Sequence, residues 1–172
     1  MTWVRNTMYE KLKPITSTFC NGNLLTLGGE SLLLNFLGEN VNIIITNIPA
    51  VDAEKTGFED NSWDYIISDQ MLEHTEHPWK VADEMYRILK PGGRVVCTTC
   101  GYNPIHNRPA DYYRFLPEGL KILFEKFNNV FADCWGDRNA MIYDIQTNGG
   151  RKSYPEEKNE RLLRRMIYSS HG

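Results

Sequence analysis

The sequence predicts an α/β fold built on a mostly parallel sheet, and three observations carry that expectation. First, two apolar runs, Trp63-Asp64-Tyr65-Ile66-Ile67-Ser68 and Arg94-Val95-Val96-Cys97-Thr98, flank a segment in which Val81, Ala82, Met85, Ile88 and Leu89 recur at helical spacing. Strand, helix and strand in that order make a right-handed βαβ unit. Second, the run Val41–Thr46 is rich in isoleucine, with Ile43, Ile44 and Ile45 in succession, and reads as a buried, parallel-type strand. Third, the polar start Asp69-Gln70-Met71 follows the first strand of the βαβ unit, at the carboxyl end where open α/β sheets bind ligands.

The remaining elements follow in order. Thr2–Leu12 is expected to be a short helix, with Pro14 marking its end. Asn21-Gly22-Asn23 reads as a turn, Leu24–Leu27 as a short strand ending at Gly28-Gly29, and Ser31–Leu37 as a helix closed by Gly38. Pro78 suits the first position of a helix, where a missing N–H costs nothing, and Leu89-Lys90-Pro91-Gly92-Gly93 supplies a sharp stop. A loop to Phe115, a helix over Pro117–Phe127 and two strand-like runs, Val130–Trp135 and Ala140–Gln146, come after the βαβ unit. Past Gly149 the basic residues outnumber the acidic ones, and Leu162, Leu163, Met166 and Ile167 give Glu156–Tyr168 a helical stripe. That stripe suits either a terminal helix docked on the domain or a contact helix for a phosphate-bearing partner. The expected organisation is one domain over residues 1–149 and a charged helical tail over 150–172.

Composition sets the outer bounds. A chain of 172 residues, 41% hydrophobic and 24% charged, fits one globular domain with a real core. A formal charge of −3 argues against a dedicated nucleic-acid binder. The N-terminus carries no apolar stretch of the kind a secretory signal needs, and Val41–Ile45 is far shorter than the roughly 20 residues of a bilayer span. Four cysteines without a framework spacing point to a reducing compartment. The expectation is a soluble, cytoplasmic protein without a nucleic-acid or membrane partner. Cys97 and Cys100 would lie roughly 10 Å apart along a strand, beyond the reach of a disulfide, and no second pair completes a zinc quartet. They are expected to be buried structural thiols or pocket lining. Glu73, His74, Glu76 and His77 lack the metalloprotease spacing of two histidines four apart, so no metal is expected.

Asp52-Ala53-Glu54, Gly57-Phe58, Asp60-Asn61-Ser62-Trp63-Asp64, Leu72-Glu73-His74, Pro78 and Arg87-Ile88-Leu89-Lys90-Pro91-Gly92-Gly93 stand in a distinctive order and spacing. Together they strongly resemble the class I S-adenosylmethionine (SAM)-dependent methyltransferases, and a looser resemblance extends from Leu24 to Ile145. The resemblance implies a Rossmann-like sheet closed by an antiparallel hairpin made from the last two strand-like runs. It implies SAM as cofactor and S-adenosylhomocysteine as product. The implied cofactor contacts are Gly28, Gly29 and Glu30 after the first strand, Asn47 after the second, Asp52 and Ala53 beside the adenine, and Asp69, Gln70 and Met71 over the methionine end. Phe58 and Trp63 pack near the adenine or belong to the core.

Three departures from the family pattern stand out. The glycine-rich turn keeps one Gly pair, and Thr26 stands where an acidic residue is usual. Asn47 replaces the acidic ribose-binding residue and lacks the charge that roughly doubles such a hydrogen bond. Only Ile48–Val51 separate Asn47 from Asp52, whereas a parallel crossover needs about a dozen residues. The sheet is therefore expected to lack the family's third, edge strand and the helix before it. The open edge left behind leads to an expectation of a homo-oligomer, or of a partner on that side.

The loop His106-Asn107-Arg108-Pro109-Ala110-Asp111-Tyr112-Tyr113-Arg114-Phe115 resembles the "H-x-x-P-x-D-Y-[WY]-R-[FY]" word of a subgroup of small methyltransferases, where it lines the acceptor side. Methyl transfer to a hydroxyl or amine needs a base, for which His106 is the best candidate on pKa grounds, with Asp111 orienting it; His74, Tyr112, Tyr113 and Arg114 are expected on the acceptor side, Arg114 either binding an anionic acceptor or pinning the loop. The alternative is an Asp111–Arg114 bridge over Tyr112 and Tyr113 that serves only the fold. The expected function is SAM-dependent O- or N-methylation of a small molecule or sugar. Two other classes stay open. A catalytically inactive methyltransferase-like binding or assembly module is favoured by the three departures. A nicotinamide-dependent Rossmann enzyme is disfavoured by the missing G-x-G-x-x-G and the non-acidic second-strand tip.

Overall fold

A computed structural model describes residues 3–103, 105–106, 110–136, 138–139, 141–142 and 168–170. Its strands are β1 (Gly22–Leu27), β2 (Val41–Thr46), β3 (Trp63–Asp69), β4 (Leu89–Thr98), β5 (Asn128–Phe131) and β6 (Tyr168–Ser170). They form one sheet in the order β2-β1-β3-β4-β6-β5. Strands β1 to β4 pair in parallel, and β6 runs antiparallel to both β4 and β5. From β1 the chain steps outward to β2 and then returns across β1 to β3, so the winding reverses between β1 and β3. That reversal is the switch point at which Rossmann-like sheets open a ligand crevice. Between β2 and β3 the chain forms only turns and extended segments. The third strand and its helix are absent, as the short Asn47–Asp52 spacing predicts.

Two apolar layers sandwich the sheet. On one face Leu25, Leu27, Ile66 and Val95 pack against α2 (Pro78–Ile88) and α3 (Pro117–Leu123). Val81, Ala82, Met85 and Ile88 of α2 are all buried, as the helical spacing predicts, and Pro78 occupies the first turn. On the other face Leu24, Ile67 and Val96 meet Tyr9 and Leu12 of α1 (Trp3–Thr16) and Leu33 of the 3₁₀ turn η1 (Leu32–Phe36). A second 3₁₀ turn, η2 (Leu72–His74), follows β3. Ile66 and Ile67, adjacent in sequence, are fully buried on opposite faces, the signature of a central parallel strand.

Several boundaries differ from the expectation. Helix α1 runs two residues beyond Pro14. A proline this close to the end removes little of the ladder, and the hydroxyl of Thr16 bonds the Leu12 carbonyl at 3.2 Å to close the last turn. Ser31–Leu37 is a 3₁₀ turn rather than an α-helix, begun by the Ser31 hydroxyl accepting from Leu33 N at 3.2 Å. Helix α3 stops at Leu123 rather than Phe127, and β5 covers Asn128–Phe131 rather than Val130–Trp135. The Ala140–Gln146 run does not supply the hairpin strand: Met141 and Ile142 are helical, and the other residues of that run lie outside the described ones. The antiparallel partner of β5 comes instead from Tyr168–Ser170. Strand propensity is local, but pairing is decided by tertiary context. Tyr168, placed by sequence at the end of a helical stripe, is therefore in a strand, while Glu156–Ile167 lie outside the described residues.

Strand β2 is the open edge that the short spacing predicts, and it corrects the burial expected from its isoleucine-rich pattern. It is parallel as expected, yet Ile43, Ile44 and Ile45 are 42%, 49% and 50% exposed. The missing strand and helix would have covered them.

Candidate active site

The carboxyl tips of β1, β2 and β3 converge at the switch point. Gly28 and Gly29 leave β1 with φ of 93° and 108°, values that favour glycine. A Cβ on Gly28 would fall 2.5 Å from Met71 Cγ and 2.7 Å from Met71 Cβ. Gly29 N donates to the Thr46 carbonyl at 2.8 Å, and a Cβ on Gly29 would face the Asn47 amide at 3.6 Å. The glycine pair, Asn47 and Met71 thus lie together at the strand tips, with Glu30 exposed beside them. Thr26, where the family pattern has an acid, is buried within the sheet. Its carbonyl accepts from the Thr46 hydroxyl at 2.6 Å, and its own hydroxyl has no partner among the described residues.

Past Asn47 the chain turns, with Val51 N bonded to the Asn47 carbonyl at 3.1 Å. Asp52 is exposed and accepts from Glu54 N at 2.8 Å, while Ala53 is buried in the core. Glu54 then meets His77 Nδ1 at 3.0 Å and Lys80 Nζ at 3.3 Å, at the start of α2. Farther along, Glu84 of α2 accepts from Thr56 N at 2.8 Å and from the Thr56 hydroxyl at 2.6 Å. Arg87 bonds Glu84 and the Phe58 carbonyl, both at 2.7 Å, and pairs with Asp60. Lys90 reaches Asp64 at 2.8 Å. Glu54, Asp60, Glu84 and Arg87 are struts that pin the shortened crossover to α2, while Lys90 and Asp64 join β4 to β3.

Asp69 is the hub beneath these strand tips. Its Oδ2 accepts from the Tyr9 hydroxyl at 2.7 Å and from the Ser31 hydroxyl at 2.7 Å, with Arg5 at 3.6 Å. Its Oδ1 accepts from the Thr98 hydroxyl at 2.5 Å. One carboxylate therefore ties together α1, the β1–η1 turn, β3 and β4. Burial and the hydrogen bond to Asp69 push the Tyr9 phenol well above its ordinary pKa. The next residue, Gln70, sits at φ 54° and donates its backbone N–H to the Thr98 carbonyl at 2.8 Å. Sequence reading picked out Asp69 but not Arg5, Tyr9, Ser31 or Thr98. Arg5 and Tyr9 left one signal, their spacing of four on a helix, and Arg5 Nε does bond the Tyr9 oxygen at 2.6 Å.

Beside this hub, η2 and the Ala110–Phe115 loop are zipped together. Tyr112 N donates to the Glu73 carbonyl at 2.8 Å, and His74 Nδ1 bonds the Ala110 carbonyl. The His74 and His106 rings meet edge to face at 4.8 Å. Asp111 accepts from His106 N at 2.9 Å and lies 3.5 Å from His106 Nδ1. Arg114 grips both Asp111 oxygens, one of them at 2.7 Å, and reaches the Asn103 carbonyl at 3.1 Å. Arg114, then the His106 N–H, hold the Asp111 carboxyl far below the usual carboxylate range. Tyr112 is exposed, whereas the Tyr113 hydroxyl bonds the Glu76 carbonyl at 3.0 Å. The structure thus contains the Asp111–Arg114 bridge and also leaves His106 beside Asp111; the two arrangements coexist.

Glu73, His74 and His106 bring potential metal-ligand atoms within 4.8 Å of one another. Glu73 is buried and accepts from the Thr99 hydroxyl at 2.7 Å. Cys97 and Cys100 are free thiols, and burial pushes both pKa values up, Cys100 to about 12. They stay protonated and pack.

Phe58 and Trp63 lie elsewhere. They touch edge to face at 5.2 Å and help line a cavity of about 340 Å³ with Asn23, Asn42 and Ile44. Asn23, Asn42 and Trp63 belong to the amino ends of their strands, opposite to the glycine pair. The expectation that either aromatic packs near an adenine beside Asp52 is therefore replaced by core and cavity packing.

Known proteins share this architecture. Residues 35–97 match a family model described as a methyltransferase domain. The ubiquinone/menaquinone biosynthesis C-methyltransferase UbiE of Brucella canis is 35% identical over 83 residues, 48% of this chain and 29% of that protein. The chain thus covers under a third of the length of that relative. Among solved structures, Haemonchus contortus phosphoethanolamine N-methyltransferase 2, in complex with phosphomonomethylethanolamine and S-adenosylhomocysteine, superposes with a TM-score of 0.63 at 16% identity, covering 96% of this chain and 52% of that one. A SAM-dependent methyltransferase from Archaeoglobus fulgidus gives 0.55 at 17% identity, covering 96% and 94%. The fold is the Rossmann-like fold of these methyltransferases.

Proposed function

We propose that this chain is a SAM-dependent methyltransferase that methylates an oxygen or nitrogen of a small molecule, with sugars the first class to test. The observation that carries the reading is adjacency. The two glycines at positive φ pack against Met71, directly before a wall built from η2 and the Ala110–Phe115 loop, and Asp69 ties α1, β4 and the turn after β1 together beside them. The residues present suit the cofactor: the backbone at Gly28-Gly29 admits close approach, Asn47 and Asp52 offer polar groups to the adenosyl part, and Gln70-Met71 border the methionine part. Glu30 stands at the rim. When bound, SAM supplies a methyl group on a positively charged sulfur.

The chain's own part is positioning and proton removal. The acceptor's proton passes to His106. Asp111, kept ionised by Arg114, stabilises the resulting imidazolium, while His74, Tyr112 and Tyr113 frame the acceptor. Asp111 and Arg114 are positioning residues in this scheme. The four free thiols suit a reducing compartment such as the cytoplasm, and among the described residues no helix is long and apolar enough to cross a membrane.

One finding favours a second reading. The relative aligned over 83 residues bears the name of a C-methyltransferase, so an activated carbon acceptor belongs in the same screen. The test is release of S-adenosylhomocysteine from SAM against panels of sugars, amines, phenols and activated carbon acids. Acceptor-dependent release that falls about 10²–10⁴-fold in His106→Ala supports the proposal. Tight S-adenosylhomocysteine binding without release in any panel would leave the inactive binding module as the better account.

A further inference from the structure

Among the described residues, strand β2 has nothing paired on its outer side. The Thr46 carbonyl accepts from Gly29 N at 2.8 Å and so faces β1. Peptide groups alternate along a strand, which turns the N–H and C=O of Val41, Ile43 and Ile45 outward as an open ladder. The strand Val41-Asn42-Ile43-Ile44-Ile45-Thr46 contains no charge and no proline, none of the devices by which edge strands usually prevent pairing. Its three central side chains are 42–50% exposed on both faces. Ile43 and Ile45 lie on the α1 face, in line with Leu24 and Thr26, and Ile44 lies on the α2 face, in line with Leu25.

We infer that β2 pairs antiparallel with β2 of a second copy, centred on Ile43, to give a continuous twelve-stranded sheet. The strand is complementary to itself in this register. Ile43 faces its own counterpart, and Val41 faces the partner copy's Ile45 and the reverse. All three pairings join residues with outward backbone groups, so each exchanges two hydrogen bonds. The same pairs place three apolar, β-branched contacts in a row on the α1 face, a favoured cross-strand combination. On the other face Asn42 stands opposite Ile44 of the second copy, beside the cavity that Asn42 and Ile44 help line. Charge agrees with this direction. Glu39 comes to lie opposite the neutral Asn47, with the two Glu39 carboxylates at opposite ends, roughly 27 Å apart by strand rise and beyond the Debye length. A parallel pairing would stack the two glutamates side by side. A two-fold pairing also closes on itself, covering both open edges at once without growing into a fibre.

Sedimentation velocity between about 1 and 100 μM tests the inference, with an interface of one strand expected to give a concentration-dependent dimer. The mass should rise from 19.9 kDa to twice that value. Ile43→Lys should hold the protein at the monomer mass while leaving its circular dichroism unchanged. The register has its own test. Ile43→Cys should form a reducible cross-linked dimer on mild oxidation, whereas Ile45→Cys should not, because the two copies of residue 45 would lie roughly 13 Å apart, beyond disulfide reach. A monomer throughout the range, a dimer unaffected by Ile43→Lys, or cross-linking through residue 45 in preference to 43 would each overturn the inference.

Discussion

Substitution of Gly28 by alanine probes the floor of the proposed cofactor site. Two costs are separable. At φ 93° any Cβ is strained, at about 1–2 kcal/mol. The new methyl also falls 2.5 Å from Met71 Cγ and 2.7 Å from Met71 Cβ. Met71 Cβ is fixed to the backbone and cannot swing clear, so overpacking adds about 1–3 kcal/mol. A total near 3 kcal/mol corresponds to a Tm loss of roughly 6–12 °C for a chain of this size. Gly57→Ala is the control: its φ is 76°, but no atom lies within 4 Å of the added Cβ, so only the conformational cost should appear. Met71→Ala in the Gly28→Ala background leaves the Cβ contact and relieves the Cγ one, recovering part of the packing cost in a double-mutant cycle. Thermal melts followed by circular dichroism give all four values. Gly28→Ala should also weaken S-adenosylhomocysteine binding at least tenfold. If Gly28→Ala melts with Gly57→Ala and binds as the parent does, the close approach at this turn is not what the geometry describes.

Three further outcomes follow from the same contacts. Tyr9→Phe removes one of the donors to Asp69 and should cost about 1–2 kcal/mol, with weaker cofactor binding; an unchanged melt and affinity would remove the hub from the account. Burial alone would raise the pKa of Glu84, but hydrogen bonds from Arg87 and Thr56 outweigh it and hold the folded value below the ordinary 4.5. Its contribution is therefore complete above pH 4.5 and lost as pH falls through the lower folded value, so Glu84→Gln should flatten the acid side of a Tm–pH profile; curves parallel to those of the parent would contradict the linkage. Arg114→Lys keeps the charge but loses the two-pronged grip on Asp111, so turnover should drop about tenfold while S-adenosylhomocysteine affinity holds, and a matching loss of affinity would instead mark a general collapse of the loop.

The parallel core was legible because period and punctuation agree there. Continuous apolar strands, the Val81–Ile88 stripe and the Pro78 start each follow from local chemistry, and the short Asn47–Asp52 spacing leaves no room for a crossover. The reach of Arg87 to Glu84, Asp60 and the Phe58 carbonyl was not legible, although the residue stands in a recognisable word. The same holds for Asp69, whose partners come from Arg5, Tyr9, Ser31 and Thr98, far apart in sequence and brought together only by the fold. The exposure of Ile43–Ile45 could not be read from the strand itself. Its sequence is that of a buried strand, and only the absence of a neighbour makes it an edge. The antiparallel strand was misplaced for a related reason, since Met141-Ile142 has strand-like residues but Tyr168–Ser170 holds the pairing position.

The central claim is that the strand tips at Gly28-Gly29, Asn47 and Asp69 take the cofactor. Calorimetric titration of the protein with S-adenosylhomocysteine tests it most directly. One site per chain with micromolar affinity, weakened by Gly28→Ala and unaffected by Arg114→Lys, is the predicted result. A flat titration with folded protein at concentrations above 100 μM would contradict the claim and leave a fold without its cofactor.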